Sequence, residues 1–490
     1  MATAVALPQL IQGGMGVGIS GWRLARAVSS LGQLGVVSGT GLDMLFVRRL
    51  EDGDADGSLR RAMADFPVPE VCAHVLDRYF RPGGRPPGRP YRALSKFQLG
   101  VDRLRQQVTV LASYVEVRLA KDGHAGEVGI NLLTKIQLPN LAVLFGAMLA
   151  GVDVVLMGAG IPREIPRVLD QLAAGRPAAL RLEIDDDAAG RAEAVTLDPR
   201  DLAAGISWPL RRPRFVPIIS SSSLATLLAR KADGKVDGFV VEGARAGGHN
   251  APPRGEGRRN ERGEPLYGER DETDLERIRD LGLPFWIAGG TASPEKLAAA
   301  RAAGAAGVQV GTLFAFCRES GLAPELRRRA LDAAAAGPLD VFTDPAASPT
   351  GFPFKVLGLE GTLAEDARYA ARRRVCDLGA LATLYRTPSG EIGSRCAAEP
   401  VDAFVAKGGD REAARGRKCL CNALLATAGH PQLRPGGGVE PPIVTAGADP
   451  DGLRVLGELG ADYSAADVVD FLLGSRRSST AGEPRTVEPA

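Results

Sequence analysis

The sequence predicts an α/β chain folded as a (β/α)8 barrel of the TIM type, with a helical insertion after strand two and an appended C-terminal subdomain. Three observations point there. Short apolar, β-branched runs occur eight times between residues 8 and 312, most are followed by an Ala/Leu-rich stretch of helical character, and the runs end in Gly and polar residues. Apolar runs joined by crossover helices are how parallel strands read. An open, doubly wound sheet is the rival arrangement of the same elements.

The runs are PQLIQGG at 8–14, GVVSGT at 35–40, EVGINLL at 127–133, VDVVLM at 152–157, FVPIIS at 215–220, VDGFVVE at 236–242, PFWIAGG at 284–290 and GVQVGT at 307–312. Helices are predicted over 21–31, 139–150, 162–174, 222–232, 272–281 and 294–303. The last has the sharpest start, Ser293-Pro294-Glu295, an N-cap followed by Pro at the first helical position. The barrel unit spans 1–320 and is interrupted twice. Residues 41–126 read as helical segments around a basic, Pro/Gly-rich stretch at 81–90, and 178–205 as an acidic, hairpin-like excursion (ALRLEIDDD, then AVTLDPRD). Residues 321–474 read as a subdomain packed on the barrel, with an amphipathic helix near 464–473, and 475–490 as a flexible tail.

At 490 residues the chain is long enough for two or three domains, or for one large barrel with additions. With 45% apolar and 24% charged residues it is neither disordered, collagenous nor coiled-coil. Sixty Lys plus Arg against 58 Asp plus Glu leave a charge of +2, so no field over the whole surface draws nucleic acid or an anionic membrane. No apolar run approaches the roughly 18–20 residues of a membrane span and no signal-type block opens the chain, so a cytoplasmic location is expected. The P-loop, the GxGxxG strand-turn-helix unit, the GxSxG elbow and the HExxH helix are all absent, which argues against an NTPase, a Rossmann dehydrogenase, an α/β-hydrolase and a zincin.

In such a barrel the chemistry sits at the C-terminal ends of the strands. Those ends supply the candidate cofactor-binding residues Gly14, Met15, Asn131, Lys135, Ser220, Gly247, Gly248, Gly289, Gly290, Gln309, Gly311 and Thr312. Gly289-Gly290 and Gly311-Thr312 suit a phosphate cradle, because small residues let backbone N–H groups approach an anion; tight strand-to-helix turns would use the same residues. Asn131 could hydrogen-bond the polar edge of an electron-accepting ring and Lys135 could stabilise its anionic form, although a solvated loop cation reads the same way. His249, one of four histidines, follows Gly247-Gly248 at the barrel mouth and is the candidate general acid or base. Cys376, Cys396, Cys419 and Cys421 crowd together in the late sequence, but their spacing matches neither paired CxxC motifs nor ferredoxin runs. They are expected to be metal-free thiols, a Zn or Fe–S site being the alternative, and no metal ligand is assigned.

The stretches LIQGGMG, GVVSGTG, VGINLL, FVVEGARAGGHN, PFWIAGGTASPEKL and AAGVQVGTLFAFCRESG resemble the nitronate monooxygenase family, also called 2-nitropropane dioxygenases, over about residues 8–320. That resemblance implies an FMN-dependent barrel in which Met15, Asn131, Gly248, Gly289, Gly290, Gly311 and Thr312 contact FMN and His249 is the catalytic base. It implies a small alkyl nitronate and O2 as substrates, with a carbonyl compound and nitrite as products. The long charged loop after His249 and the long C-terminal region depart from the compact members of that family. They are similar to FMN enoyl reductases of polyunsaturated fatty-acid and trans-acyltransferase polyketide synthases, which implies an alternative: NAD(P)H as reductant and an acyl thioester as substrate. A non-catalytic FMN-binding scaffold is the third reading.

Overall fold

The structure, a computed structural model, describes residues 7–475 apart from 101, 188, 189, 191, 204, 256, 459 and 461. The tail expected over 475–490 lies outside the described residues except for Ser475. Eight parallel strands form one sheet: β1 (Leu10–Gln12), β2 (Gly35–Ser38), β3 (Val128–Leu133), β4 (Val154–Gly158), β5 (Arg214–Ile219), β6 (Phe239–Glu242), β7 (Phe285–Ala288) and β8 (Gly307–Val310). Each falls within one residue of a predicted run. β1 pairs with β8, Ile11 opposite Gln309. On its other side β1 meets the entry to β2 through an Ile11–Leu34 bridge and the Gln12 N–H to Leu34 carbonyl bond of 2.9 Å. The ring is therefore closed, and the open doubly wound alternative is excluded.

Closure explains the alternation along the strands. Ile11, Val36, Val154, Leu156, Val216, Val240, Trp286 and Ala288 form one apolar cluster inside the barrel, while their neighbours Val37, Val155, Phe239 and Val241 join the core between sheet and helices. A period of two with both faces apolar is what a strand buried on two sides requires. Trp286 plugs the N-terminal end of the barrel and donates its indole N–H to the Pro8 carbonyl at 2.8 Å.

The outer helices are α1 (Trp22–Ser30), α2 (Arg103–Ala120), α3 (Asn140–Leu149), α4 (Ile165–Ala173), α5 (Ser222–Lys231), α6 (Leu275–Arg279), α7 (Pro294–Ala302) and α8 (Ala465–Leu472). Ser293 caps α7 as its sequence predicts, its hydroxyl accepting from the Lys296 N–H at 3.3 Å. Residues 41–126 hold four helices: Leu42–Glu51, Ser58–Ala64 and Pro69–Tyr79 stack on the fourth, α2. A buried Arg105–Asp43 pair at 2.5 Å fastens them there. The acidic excursion is a hairpin, Ala178–Arg181 against Ala194–Leu197. Its Ile184–Asp185 step pairs with Thr383–Arg386 of the C-terminal region, so the two extensions are joined by strand pairing.

The C-terminal region builds a second apolar cluster from Phe354, Val356, Leu363, Leu381, Cys396, Cys419, Leu420, Cys421 and Ile443, with Ile136 from the loop after β3. A hairpin of Val341–Asp344 and Phe354–Leu357 carries part of this cluster onto the loop after β6. Phe354 bridges to His249, and the Lys355 N–H donates to the Gly248 carbonyl at 2.9 Å. The chain then returns to the barrel wall, where α8 packs against α1 and α7. Among the described residues no helix is long and apolar enough to cross a membrane.

Candidate functional site

A cavity of about 410 Å³ opens at the C-terminal ends of the barrel strands. That volume lies within the roughly 300–1,000 Å³ usual for cofactor and small-molecule sites. Of the residues singled out from sequence, Gly14, Met15, Asn131, Ser220, Gly247, Gly248, His249, Gly289, Gly290, Gln309, Gly311 and Thr312 all line it. Lys135 does not. It follows β3 and pairs with Glu183 of the acidic hairpin at 2.8 Å, its ammonium 5.9 Å from the centre of the Phe352 ring, a cavity-wall residue.

Backbone geometry shapes one end of the cavity. Gly289 and Gly290 hold φ of +91° and +75°, a region that favours glycine. A Cβ on Gly289 would meet the Gly243 carbonyl and the Ala246 nitrogen at 2.9 Å. Gly311 differs: its backbone is open to any residue, and a Cβ there would meet only the Met15 side chain, at 3.5 Å, so the space it leaves belongs to the cavity. From these glycines the chain passes through Thr291 and Ala292, also on the cavity wall, into α7. Arg245 and Lys296 flank the same end, both paired with Asp449.

The middle of the cavity presents amides whose oxygens have no protein partner. Asn131 donates to the Gly14 carbonyl at 2.9 Å and Asn250 to the Ala246 carbonyl at 3.0 Å. The buried Oδ1 of each, and the buried Oε1 of Gln309, remain unpaired. Buried oxygens without donors are costly unless a ligand supplies them. A planar heterocycle with an N–H on its polar edge, a hydroxylated chain and a phosphate would supply donors to these oxygens and an anion to the glycines, so the residues present suit a flavin mononucleotide.

The remaining wall is apolar, with Leu133, Ile161, Ile218, Leu224, Phe352, Phe354, Leu381 and Leu424. His249 sits against it. Its ring meets Phe354 edge-on at 5.0 Å and Phe352 at 6.4 Å, and Nε2 shares a 2.7 Å hydrogen bond with Ser348 Oγ, which in turn bonds Thr350 Oγ1 at 2.8 Å. Burial among these rings pushes the imidazole down to about 4, so it is neutral at physiological pH. Glu242, at the end of β6, responds in the opposite sense: burial raises its carboxyl to about 7, against the opposing pull of Lys355.

Sequence reasoning noted Glu242 at a strand end without giving it a role, and it missed the residues the C-terminal region contributes. Thr445 Oγ1 accepts from the Gly248 N–H at 2.9 Å, and the Gly447 N–H donates to Thr312 Oγ1 at 2.9 Å. Thus Thr445 to Asp449 run along the cavity rim. The only local signal was the run of small residues VTAGAD, which many loops share. Cys376 is half-buried and Cys396, Cys419 and Cys421 are buried, all as free thiols. Among the described residues no group of three or more His, Cys, Asp or Glu is arranged to hold a metal ion.

Comparison with known proteins adds the class. Residues 209–343 match the sequence model of the nitronate monooxygenase family. The chain is a flavin-dependent oxidoreductase. The matched segment runs from β5 through the AGGH turn, β7 and β8 to the first strand of the hairpin, and so carries His249, both glycine pairs and Gln309. No curated protein matches the chain. Among solved structures, FabK from Thermotoga maritima is similar at 16% identity and a TM-score of 0.46, covering 95% of this chain and 92% of that one. Nitroalkane oxidase from Streptomyces ansochromogenes is similar at 15% and 0.46, covering 96% of each. The enoyl reductase domain of MlnA from the macrolactin biosynthesis cluster of Bacillus amyloliquefaciens is similar at 12% and 0.45, covering 95% and 93%.

Proposed function

We propose that the chain is an FMN-dependent nitronate monooxygenase that oxidises small alkyl nitronates with O2 to a carbonyl compound and nitrite. The observation that carries this reading is a single cavity combining a glycine cradle, unpaired amide oxygens and a neutral imidazole on an apolar wall. The flavin, when bound, supplies the electron acceptor and the reactivity toward O2.

In this reading Gly289, Gly290, Gly311 and Thr312 hold the phosphate. Asn131 and Gln309 meet the polar edge of the ring, and Gly14, Met15, Ser220, Gly247 and Gly248 complete the surround. Leu133, Ile161, Phe352 and Phe354 take the alkyl group and exclude water from it. An anionic nitronate needs no proton removed. A neutral nitroalkane does, and His249, uncharged and unable to repel the departing proton, is the base placed to receive it.

The test is the absorbance spectrum of purified protein followed by nitrite release from a preformed nitronate. Bound yellow flavin with nitrite supports the proposal. Reduction of an enoyl thioester by NAD(P)H without nitrite replaces it with the reductase reading, and tight FMN with neither activity leaves a scaffold.

A further inference from the structure

His249 has two ring nitrogens, and the hairpin of the C-terminal region engages one of them. Nε2 shares a 2.7 Å hydrogen bond with Ser348 Oγ, while Nδ1 has no protein partner among the described residues. Ser348 is fully buried in the loop that joins Val341–Asp344 to Phe354–Leu357. That loop is tied down from several sides. Arg417 donates to the Ala346 carbonyl at 3.2 Å and to the Ser348 carbonyl at 2.5 Å. Asp344 Oδ1 accepts from the N–H groups of Ala346 and Ala347 at 2.8 and 3.0 Å. The Asn250 N–H, next to His249 in sequence, donates to the Pro353 carbonyl at 2.9 Å. With its ring edge-on against Phe354, His249 is thus held toward the Ser348 hydroxyl by both chains.

A hydroxyl has one hydrogen to give and two lone pairs to fill. Three partners surround Ser348 Oγ: His249 Nε2 at 2.7 Å, Thr350 Oγ1 at 2.8 Å, and the Thr350 N–H at 3.3 Å, which can only donate. The Ser348 hydrogen therefore goes either to Thr350, in which case Nε2 carries the imidazole proton, or to Nε2, in which case Nδ1 carries it. The hydrogen bond made at one ring nitrogen sets the protonation of the other. Only the first arrangement leaves a lone pair on Nδ1, the nitrogen that no protein group occupies.

We propose that Ser348 and Thr350 hold His249 as its Nε2–H tautomer, so that Nδ1 takes the proton from a neutral carbon acid and Ser348 is the positioning residue for that step. This rests on the base role of His249 in the monooxygenase reading. A C–H bond of the substrate breaks, its electron pair stays on the substrate as the nitronate, and the proton forms an N–H bond at Nδ1. The imidazolium so formed still donates from Nε2 to Ser348 Oγ, and a hydrogen bond to the charged form favours it.

Histidine-selective isotope labelling of the purified protein, read by nitrogen NMR at neutral pH, reports the tautomer without turnover, and His249→Asn assigns the signal. The expected result is N–H on Nε2 and a bare Nδ1. Thr350→Val leaves the Ser348 hydrogen no side-chain acceptor but Nε2 among the described residues, so it should move the His249 proton to Nδ1, which a merely structural contact would not do. Nδ1–H in the wild type, or a Thr350→Val spectrum identical to it, overturns the proposal. Should Thr350→Val fail to fold, the wild-type spectrum alone decides. In turnover at equal flavin content, Ser348→Ala should lower the ratio of kcat on a neutral nitroalkane to kcat on the preformed nitronate by about 10-fold or more, a share of the roughly 10² to 10⁴-fold that a positioned base contributes. Equal losses on both substrates overturn it too. Nitrite from neither substrate in the wild type overturns the monooxygenase reading as well, whereas nitrite from both with an Nδ1–H tautomer overturns the role of Ser348 alone.

Discussion

The environment of His249 makes a quantitative demand on its titration. An exposed imidazole titrates near 6.5, and burial against Phe352 and Phe354 moves this one to about 4. At pH 5.5 an ordinary histidine is about 90% charged, while His249 should be charged in only a few per cent of molecules. The chain has four histidines, so histidine-selective labelling gives a countable NMR spectrum, and His249→Asn assigns the signal. One imidazole should stay neutral until the pH falls below about 5. The same shift enters stability with a definite sign. Because the folded state holds the proton more weakly than the unfolded chain, the stabilisation is present above 6.5 and is lost as pH falls toward 4. At about 1.4 kcal/mol per pH unit the whole window is worth on the order of 3 kcal/mol. Glu242 works the other way, since its folded carboxyl holds the proton more tightly and gains stability as pH falls from about 7 toward 4.5. The wild-type curve mixes the two, so the quantity to measure is the difference between wild type and His249→Asn across pH 7 to 4. An imidazole titrating near 6.5, or a difference curve that is flat, would refute the buried, neutral His249 on which the proposed base depends.

Three further outcomes follow from the geometry. Gly311→Val should abolish flavin retention while leaving the far-ultraviolet spectrum unchanged, because its side chain would enter the cavity and touch only the Met15 side chain; full flavin content in that variant would remove Gly311 from the cradle. Asp43→Ala leaves Arg105 buried without its carboxylate, which should cost about 3–5 kcal/mol, read as a lowered thermal midpoint; an unchanged midpoint would mean that Thr109 and the Ser95 carbonyl suffice for Arg105. Cys376, whose thiol is pulled below its usual range by a hydrogen bond from Cys396, should be the first cysteine alkylated at neutral pH, and elemental analysis should find no stoichiometric Zn or Fe; faster labelling of another cysteine, or one metal per chain, would contradict this.

The barrel was legible because each of its strands is a short apolar run ending in small or polar residues, a pattern that survives long insertions. The end of the strand marks the cavity wall, which is why Asn131, Gln309 and Gly289 could be picked from sequence as cavity-lining candidates. The same rule misjudged Lys135, two residues beyond β3, because a loop cation follows the nearest carboxylate, and Glu183 lies on a hairpin whose position nothing local encodes. Ser348 and Thr445 were invisible for the related reason that they bond His249 and Gly248 from about 100 and 200 residues away in sequence, through strand pairing and packing. Glu242 was visible as a polar strand end, but its altered proton affinity comes from burial that only the folded chain creates.

Helix α8 closes the barrel wall between α1 and α7 with residues 465–472, although β8 ends at residue 310. During synthesis the last gap in the wall therefore stays open until residues 465–472 have left the ribosome, and the side of α1 that α8 packs against waits for its cover. A fragment cut after the eighth strand would carry every barrel strand and still expose that seam. Shortening this protein for expression or engineering thus means leaving both α8 and the cavity residues Ser348 to Phe354 and Thr445 to Asp449 in place, rather than trimming from the C-terminus.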